Sequence, residues 1–138
     1  MAERKFKLEI VSPRRAVYSG EVTSVRAPGT EGSFEVLYGH IPFLTALGVG
    51  EVSFRDESGW RYLATSEGFL EVLRSGVAVL VESAEWPEEI DLERAGRARD
   101  RASGRLSSAD STIDRERAQA ALDRASSRLR VAGRRKQA

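Results

Sequence analysis

Two stretches near the end of the chain, EEIDLERAGRARDRASGRL (88–106) and TIDRERAQAALDRASSRL (112–129), are near-copies of each other. Each opens with Ile-Asp-x-x-Arg-Ala and continues to Asp-Arg-Ala-Ser, and neither contains an aromatic residue. Alanine, arginine and leucine dominate both copies, and these residues favour helices. The two copies therefore predict two helices, separated by the polar break SSADS (107–111).

The shared Ile-Asp pair predicts where each helix begins. Asp91 and Asp114 are suited to the N-cap, where a carboxylate accepts a hydrogen bond from a free backbone N–H group. The isoleucine before each aspartate and the alanine four positions after it have the spacing of a hydrophobic staple. We expect helices over about 91–106 and 114–132, folded as an antiparallel hairpin because the loop is short. The repeat then reflects either one helix start used twice or a function carried by one copy.

The predicted hairpin closes along a seam made mostly of alanine, which we call the alanine seam. An alanine methyl contributes well under the ~1.5–3 kcal/mol of a buried leucine, and isolated helices of this length are marginal in water. Gly96 and Gly104 each cost the first helix up to about 1 kcal/mol more. The hairpin should therefore need a docking surface or a ligand, which makes it a candidate two-state element. The seam consists of Ala95, Ala98, Ala102 and Leu106 on the first helix and Ala118, Leu122, Ala125, Leu129 and Ala132 on the second.

The part of the chain before residue 86 has the pattern of short strands. In KFKLEIVS (5–12), apolar residues alternate with charged ones, which is the period of a half-buried strand. RDESGW (55–60) is typical of a hairpin loop. Many short strands about ten residues apart predict an antiparallel sandwich or barrel. The other predicted strands span 20–29, 32–39, 50–56, 60–66, 68–76 and 77–83.

Composition changes at Trp86-Pro87, and we place a domain boundary there, with domains at 1–86 and 87–138. Every aromatic residue other than Trp86 lies before it. Residues 1–85 hold 9 Lys/Arg against 12 Asp/Glu, whereas residues 86–138 hold 13 against 9. The net charge of +1 is therefore the sum of an acidic first part and a basic second part.

The sequence gives no support to a catalytic or metal centre. The chain has no cysteine and a single histidine, His40, so a zinc site would need carboxylates alone beside it. It has no P-loop, no nucleophile elbow and no evident Ser-His-Asp set. No apolar run is long enough to span a bilayer, and the lack of cysteine fits a reducing cytoplasm.

The arginines of the predicted hairpin allow three interpretations. They are a solvated face with partners one turn away, as for Glu93 with Arg97, or an anion site, because arginine binds phosphate in a bidentate way. The third is a basic arm for nucleic acid, which the interspersed acidic residues and the lack of stacking aromatics disfavour.

The order of these parts, together with several short motifs, resembles the epsilon subunit of bacterial F-type ATP synthases. YGHIPFLTAL (38–47) is similar to that family's Gly-His-x-Pro signature, and EGFLEV (67–72) to one of its strands. VSPRRAVYSGEV (11–22), RSGVAVLVESAE (74–85) and IDLERA at the hairpin start extend the resemblance over nearly the whole chain.

The resemblance implies a ten-stranded antiparallel β-sandwich of two sheets, followed by an antiparallel two-helix hairpin. It implies a non-catalytic rotor subunit of a proton-translocating complex, peripheral on the cytoplasmic face of the bacterial plasma membrane. The sandwich would bind the gamma subunit and the ring of c subunits. The hairpin would lie folded on the sandwich, or extend to the alpha/beta catalytic head and inhibit ATP hydrolysis. Rotor contact is implied for Gly39, His40 and Pro42.

The resemblance also implies a regulatory nucleotide, since in several family members the Ile/Leu-Asp-x-x-Arg-Ala motif binds ATP and bound ATP holds the hairpin down. No cofactor is required and no metal is implied. Arg124 and Arg128 lie one helical turn apart and could grip phosphate together, while Asp91 would accept from the adenine amino group. On this interpretation the second copy of the motif is only a helix start. The residues implied are Glu85, Ile90, Asp91, Arg94, Ala95, Arg101, Arg124 and Arg128.

Three functions are therefore carried forward. The first is a rotor subunit that brakes hydrolysis, and the second is a free-standing nucleotide-sensing module that binds ATP but not gamma. The third is a nucleic-acid binder with a basic arm, whose binding would depend strongly on salt.

Overall fold

The computed structural model describes residues 4–135 and consists of ten strands followed by two helices. A single 3-10 turn, Pro87–Glu89, joins the two parts. The strands are β1 Phe6–Ser12, β2 Arg15–Val22, β3 Ser24–Gly29, β4 Gly32–Val36, β5 Phe43–Leu47, β6 Gly50–Asp56, β7 Gly59–Thr65, β8 Gly68–Leu73, β9 Gly76–Val81 and β10 Ala84–Glu85, and the helices are α1 Leu92–Ser107 and α2 Arg115–Ala132.

The strands form because alternate side chains can be buried on one face. In β1, Leu8 and Ile10 have no exposed surface while their neighbours remain partly exposed. Each such buried aliphatic side chain contributes about 1.5–3 kcal/mol. The fully buried members of this core include Leu8, Ile10, Val22, Val25, Val52, Phe54, Leu63, Leu70 and Val79.

All ten strands belong to one continuous sheet that folds over on itself into two layers. Its order is β10-β7-β6-β3-β5-β8-β9-β1-β2, with β4 paired to β3. β3 and β5 are joined by a single residue pair, Gly29 with Leu47, where the sheet turns from one layer to the other. Across the layers the Tyr18 ring lies 4.3 Å from the Phe54 ring, and its hydroxyl group donates to Asp56 at 3.2 Å.

The predicted ten-stranded sandwich with a helical hairpin is confirmed, with several differences in detail. The sequence pattern did not predict β5, and the predicted strand 32–39 ends at Val36. β1 and β9 pair in parallel, whereas the prediction was of an antiparallel sandwich. The long chain between these two strands allows a parallel arrangement. The predicted strand 20–29 is divided, because β2 ends at Val22 and β3 begins at Ser24. The hairpin predicted at 55–60 is present, but its turn is shorter, since β6 continues to Asp56 and β7 begins at Gly59, whose φ is +101°.

Both helices begin at the predicted aspartates. The Asp91 side chain accepts from the Arg94 N–H at 3.0 Å, and the Asp114 side chain accepts from the Arg117 N–H at 3.1 Å. At the hairpin turn, Arg115 donates to the Leu106 carbonyl at 2.8 Å. These contacts use backbone groups that helix ends leave without partners.

The alanine seam is also as predicted. Its fully buried side chains are all alanines, and its leucines are only partly buried. The helices therefore pack closely while burying little apolar surface. The buried members are Ala95, Ala102, Ala118, Ala125 and Ala132.

Two glycine substitutions should have opposite effects on stability. A Cβ atom added at Gly68 would overlap the Leu80 carbonyl oxygen of the neighbouring strand, so we expect Gly68→Ala to lower the free energy of unfolding by about 1–3 kcal/mol. Gly96 lies inside α1 with open space around it, and Gly96→Ala should stabilise the helix by up to about 1 kcal/mol. Urea unfolding followed by circular dichroism measures both. Equal destabilisation by the two variants would contradict the strand packing described above.

Candidate functional site

The candidate site is the junction where α2 lies against β6, β7 and the 3-10 turn. A small apolar cluster forms its centre, separate from the sandwich core. Ile90 is 2% exposed and Val131 is completely buried, while the partly buried Tyr62 and Leu129 flank them. The remaining buried members are the small side chains Ala64, Ala95 and Ala132. The cluster therefore offers far less burial than the sandwich core.

Polar contacts surround this cluster along one face of α2. The Ser127 hydroxyl group is buried and donates to the Gly50 carbonyl at 2.9 Å. Arg128 is the next residue of the helix, and its Nε donates to Glu85 Oε1 at 2.6 Å. Both contacts join α2 to groups at strand ends of the sandwich. The Arg128–Glu85 bond is charge-assisted, and a partly solvated pair of this kind fixes orientation more than it adds stability.

Two arginines just beyond α2 continue the junction. Arg134 donates to both oxygens of Glu51, at 3.2 and 3.3 Å, and its guanidinium carbon lies 4.5 Å from the Tyr62 ring centroid. Arg135 donates to the Pro87 carbonyl at 2.8 Å and also to the Ile90 carbonyl. The end of α2 is thereby joined both to the sandwich and to the residues that precede α1.

The linker between the two parts is fixed by a network around Glu89. Arg15 donates to the Ala84 carbonyl at 3.0 Å and to Glu89 at 2.7 Å, and the Trp86 N–H donates to the same carboxylate at 2.9 Å. The hydrogen bond from Arg15 lowers the pKa of the Glu89 carboxyl below its ordinary value, partial burial opposes this shift, and the Trp86 N–H adds to it. The Trp86 ring packs against the sandwich core.

Three of the eight residues implied in nucleotide binding come together. Glu85, Arg124 and Arg128 line one small cavity with Ser127. This cavity measures about 20 Å³, which is room for about one water molecule. The two arginines suit phosphate groups chemically. However, the docked hairpin leaves no space for a nucleotide here, and Arg128 is already bonded to a carboxylate.

Four of the other five implied residues lie around the start of α1, and Arg101 lies in its second half. Ile90 and Ala95 belong to the buried apolar cluster, and Asp91 caps the helix. The Arg94 and Arg101 side chains are exposed. The structure thus uses the Ile-Asp-x-x-Arg-Ala motif for docking and helix initiation, and the nucleotide role of its residues stays a prediction.

The residues implied in rotor contact lie at another place, in the exposed loop 37–42 between β4 and β5. Gly39 has a φ of +81°, which favours glycine at this turn. The His40 ring lies 4.8 Å from the Phe43 ring, and its Nδ1 is 2.9 Å from the Ile41 carbonyl oxygen. Pro42 is exposed, and so are the large apolar side chains of Leu37, Tyr38, Ile41 and Leu44.

Sequence reasoning missed several residues of the junction. Ser127 was not singled out although it is polar and buried, and neither were Glu51, Tyr62, Arg134 and Arg135. The only available signal was the pair of basic residues directly after Gly133 at the end of the helical pattern. Sequence spacing could not reveal that Arg134 meets a strand of the sandwich or that Arg135 meets the linker before α1.

Residues 4–135 contain neither a candidate metal centre nor a helix that could span a membrane. Among these residues, no group of three or more His, Cys, Asp or Glu is placed to hold a metal ion. Neither α1 nor α2 is both long enough and apolar enough to cross a membrane.

The fold and the junction define a class of protein in which a β-sandwich carries a docked two-helix hairpin. Two family profiles match this division. The profile described as "ATP synthase, Delta/Epsilon chain, beta-sandwich domain" matches residues 5–87, and the one described as "ATP synthase, Delta/Epsilon chain, long alpha-helix domain" matches residues 88–133.

Individual relatives with similar sequences are also ATP synthase epsilon chains. The ATP synthase epsilon chain of Nitratidesulfovibrio vulgaris (strain DP4) is 47% identical over 111 residues, which are 80% of this chain and 83% of the relative. Epsilon chain 2 of Syntrophotalea carbinolica is 50% identical over 103 residues, 75% of each chain. The chain therefore belongs to the family of epsilon subunits of F-type ATP synthases, whose members are not catalytic by themselves. The resemblance inferred from the sequence motifs is confirmed.

Solved structures share the fold. A chain of the Euglena gracilis mitochondrial ATP synthase, in a structure of its OSCP, F1 and c-ring parts, superposes with a TM-score of 0.79 at 25% identity. The match covers 93% of this chain and 81% of that one. A chain from the central stalk and c-ring of the Tetrahymena thermophila mitochondrial enzyme has a TM-score of 0.55 at 13% identity, covers 97% of this chain and 98% of that one, and supports the fold alone.

The Glu89 network should make the linker sensitive to acid. Because the folded-state pKa of Glu89 is depressed, its contribution to stability is present in full above about pH 4.5 and is lost as the pH falls through the folded-state pKa. Glu89→Gln should lower the free energy of unfolding at neutral pH by less than about 1 kcal/mol, since its side chain is 38% exposed and solvent screens the pair.

Urea unfolding between about pH 3 and about pH 7 measures this contribution. The difference between Glu89→Gln and the unmodified protein should shrink towards the acid end. Glu88→Gln, which changes the exposed neighbouring residue, is the matched control and should leave the pH profile unchanged. A constant difference at all pH values would show that the Arg15–Glu89 pair does not contribute.

Proposed function

We propose that this chain is a central-stalk subunit that links gamma to the c ring of a proton-translocating ATP synthase. We further propose that its hairpin inhibits ATP hydrolysis by contact with the alpha/beta head. Relatives named as epsilon chains, and a related chain in an assembly with F1 and a c ring, support this proposal. As part of such a complex it would lie peripherally at the cytoplasmic face of the bacterial plasma membrane.

The observation that carries the proposed brake is the weakness of the attachment between hairpin and sandwich. The sandwich has its own complete core, whereas the junction buries only two large apolar side chains fully, Ile90 and Val131. Its ion pairs are partly exposed, and pairs of this kind contribute about 0–1 kcal/mol each. The hairpin can therefore leave its docking surface without unfolding the sandwich.

The exposed loop 37–42 supports the proposed anchoring role. Ile41 is 74% exposed and Leu37 54% exposed, next to the predicted contact residues Gly39, His40 and Pro42. Large apolar side chains gathered on one exposed loop are a common feature of protein interfaces. We propose that this end of the sandwich meets the rotor.

The charge of α1 supports the proposed contact with the catalytic head. Arg94, Arg97, Arg101 and Arg105 are exposed and spaced so that they share one side of the helix. Of these, Arg97 has an acidic partner one turn away, Glu93, at 3.8 Å. Basic side chains presented in this way favour and orient contact with an acidic surface. We propose that an acidic segment of the catalytic subunits is that surface.

The bonding partners and surroundings of the hairpin arginines help to decide between a rotor function and nucleic-acid binding. Several are bonded within the chain, as are Arg115 to the carbonyls of the hairpin turn, Arg128 to Glu85 and Arg134 to Glu51. The exposed arginines of α1 have the acidic residues Glu93 and Asp100 among them, and neither helix carries an aromatic side chain that could stack on bases. The rotor function is therefore favoured over a nucleic-acid arm.

ATP hydrolysis by a catalytic head that lacks this subunit tests the proposal. Full-length chain should bind and inhibit the head, whereas a version ending after Trp86 should bind without inhibiting, because Trp86 is the last residue packed on the sandwich core. If both versions bind and neither inhibits, the hairpin is not a brake. If neither binds a matched head at micromolar concentration, the rotor function is wrong, and ATP binding without gamma binding would favour a free nucleotide sensor.

We also propose ATP as a regulatory ligand of the hairpin, bound by Arg124 and Arg128 after the Glu85–Arg128 pair opens. A ligand that binds only the folded form raises its stability by about 2.7 kcal/mol at a concentration of 100 times Kd. ATP should therefore raise the Tm of the unmodified chain. Arg124→Ala and Arg128→Ala should lose this ATP-dependent rise.

Arg130→Ala is the matched control for the nucleotide experiment, because Arg130 is exposed on the same helix but does not line the cavity. It should keep the ATP-dependent rise in Tm. The comparison uses the shift caused by ATP in each variant, since Arg128→Ala also removes a docking contact. No shift in the unmodified chain at millimolar ATP would rule out a regulatory role for the nucleotide.

A further inference from the structure

The two arginines after α2 occupy a position that the nucleotide motif does not include. We propose that Arg134 and Arg135 form a latch that holds the hairpin on the sandwich without any nucleotide. The latch itself rests on the contacts of this chain alone. Its consequence for ATP hydrolysis rests on the proposed function.

Arg134 makes the contact with the sandwich. Its Nε and Nη2 each meet one oxygen of Glu51, so the carboxylate is held in a two-bond fork whose geometry is more specific than a single bond. The Glu51 side chain is 18% exposed, which reduces the competition from water. The Tyr62 ring beneath the guanidinium group adds a cation–π contact. β6 and β7 thus each provide one side chain to this arginine.

Arg135 makes the contact with the start of the hairpin. Its two bonds go to the carbonyl groups of Pro87 and Ile90, which lie in the linker directly before α1. Pro87 and Ile90 are buried, and the Pro87 carbonyl also accepts from the Ile90 N–H at 3.4 Å, so Arg135 is a second donor to that oxygen. One residue therefore joins the exit of α2 to the entry of α1, at the end of the hairpin opposite its turn.

The position of these arginines determines what they control. Val131 and Ala132, the last residues of α2 in the apolar cluster, are separated from them by Gly133 alone. With the latch open, these two side chains are held only by the small cluster and by the contacts of Ser127 and Arg128 further along the helix. The last turn of α2 should then separate first, and the alanine seam offers little resistance. High salt should favour opening because it screens the Arg134–Glu51 pair.

Hydrogen exchange of the full-length chain without nucleotide tests the latch. The unmodified chain should show slow exchange in the second half of α2. The double variant Arg134→Ala, Arg135→Ala should speed this exchange by about tenfold, as expected from losing partly exposed contacts, while amides of the β-strands keep their protection. Arg130→Ala removes one positive charge from an exposed position of α2 and should change nothing.

Exchanging the two charges tests whether the hairpin is released by loss of the Arg134–Glu51 ion pair or by a general loss of side-chain packing. Glu51→Arg alone should release the end of α2, and Glu51→Arg combined with Arg134→Glu should recover most of the protection. Fast exchange of α2 in the unmodified chain without nucleotide would overturn the proposal. The proposal would also be overturned if the double variant kept the protection of the unmodified chain. The same holds if α2 exchanged as fast in the combined charge-exchange variant as in Glu51→Arg alone.

The same variants distinguish failure of the latch from failure of the proposed brake. If the double variant releases the hairpin and inhibits a matched catalytic head more strongly, both proposals hold. If it releases the hairpin while hydrolysis is unchanged, the latch holds and the brake is wrong. If the hairpin is not released, the latch is wrong whatever the effect on hydrolysis.

Discussion

The close packing of α1 and α2 through alanine determines how the rest of the hairpin must be held. Alanine lets the two helices approach, but it buries too little apolar surface to keep them together alone. α2 therefore carries a second buried stripe beside the seam, formed by Ser127 and Val131, which are one turn apart and face the sandwich. The helix has one face for its partner helix and one for the sheet. Detaching it from the sheet removes the support that the seam cannot provide.

The linker makes this detachment local. Trp86 packs on the sandwich core and Ile90 packs in the junction cluster, with only the 3-10 turn between them. Arg15 binds both the end of β10 and Glu89, so the turn itself is held by the sandwich. If the hairpin leaves the sandwich as proposed, Ile90 loses its apolar partners while Trp86 keeps its own. The proposed motion would then begin just after Glu89, with the linker still held on the sandwich.

The features that sequence alone predicted are those that depend on near neighbours. Alternation in β1, the aspartate caps and the alanine seam follow from local spacing, and all are present. The parallel pairing of β1 with β9 and the bonding of Arg134 to Glu51 join distant parts of the chain, which no local pattern records. For the site, only the family resemblance predicted that Glu85, Arg124 and Arg128 act together. The structure adds that they enclose a cavity closed by the docked hairpin.

That closed geometry sets a condition on any nucleotide that regulates the hairpin. Arg128 gives its Nε to Glu85, so phosphate oxygens and this carboxylate compete for the same guanidinium group. A ligand shifts an equilibrium only by the difference between its affinities for the two states. ATP can therefore hold the hairpin down only if its contacts exceed those of the pair that it displaces. If ATP binds in this way, contacts outside the cavity, such as those of Arg134 and Arg135, would keep the end of α2 docked while Arg128 changes its partner.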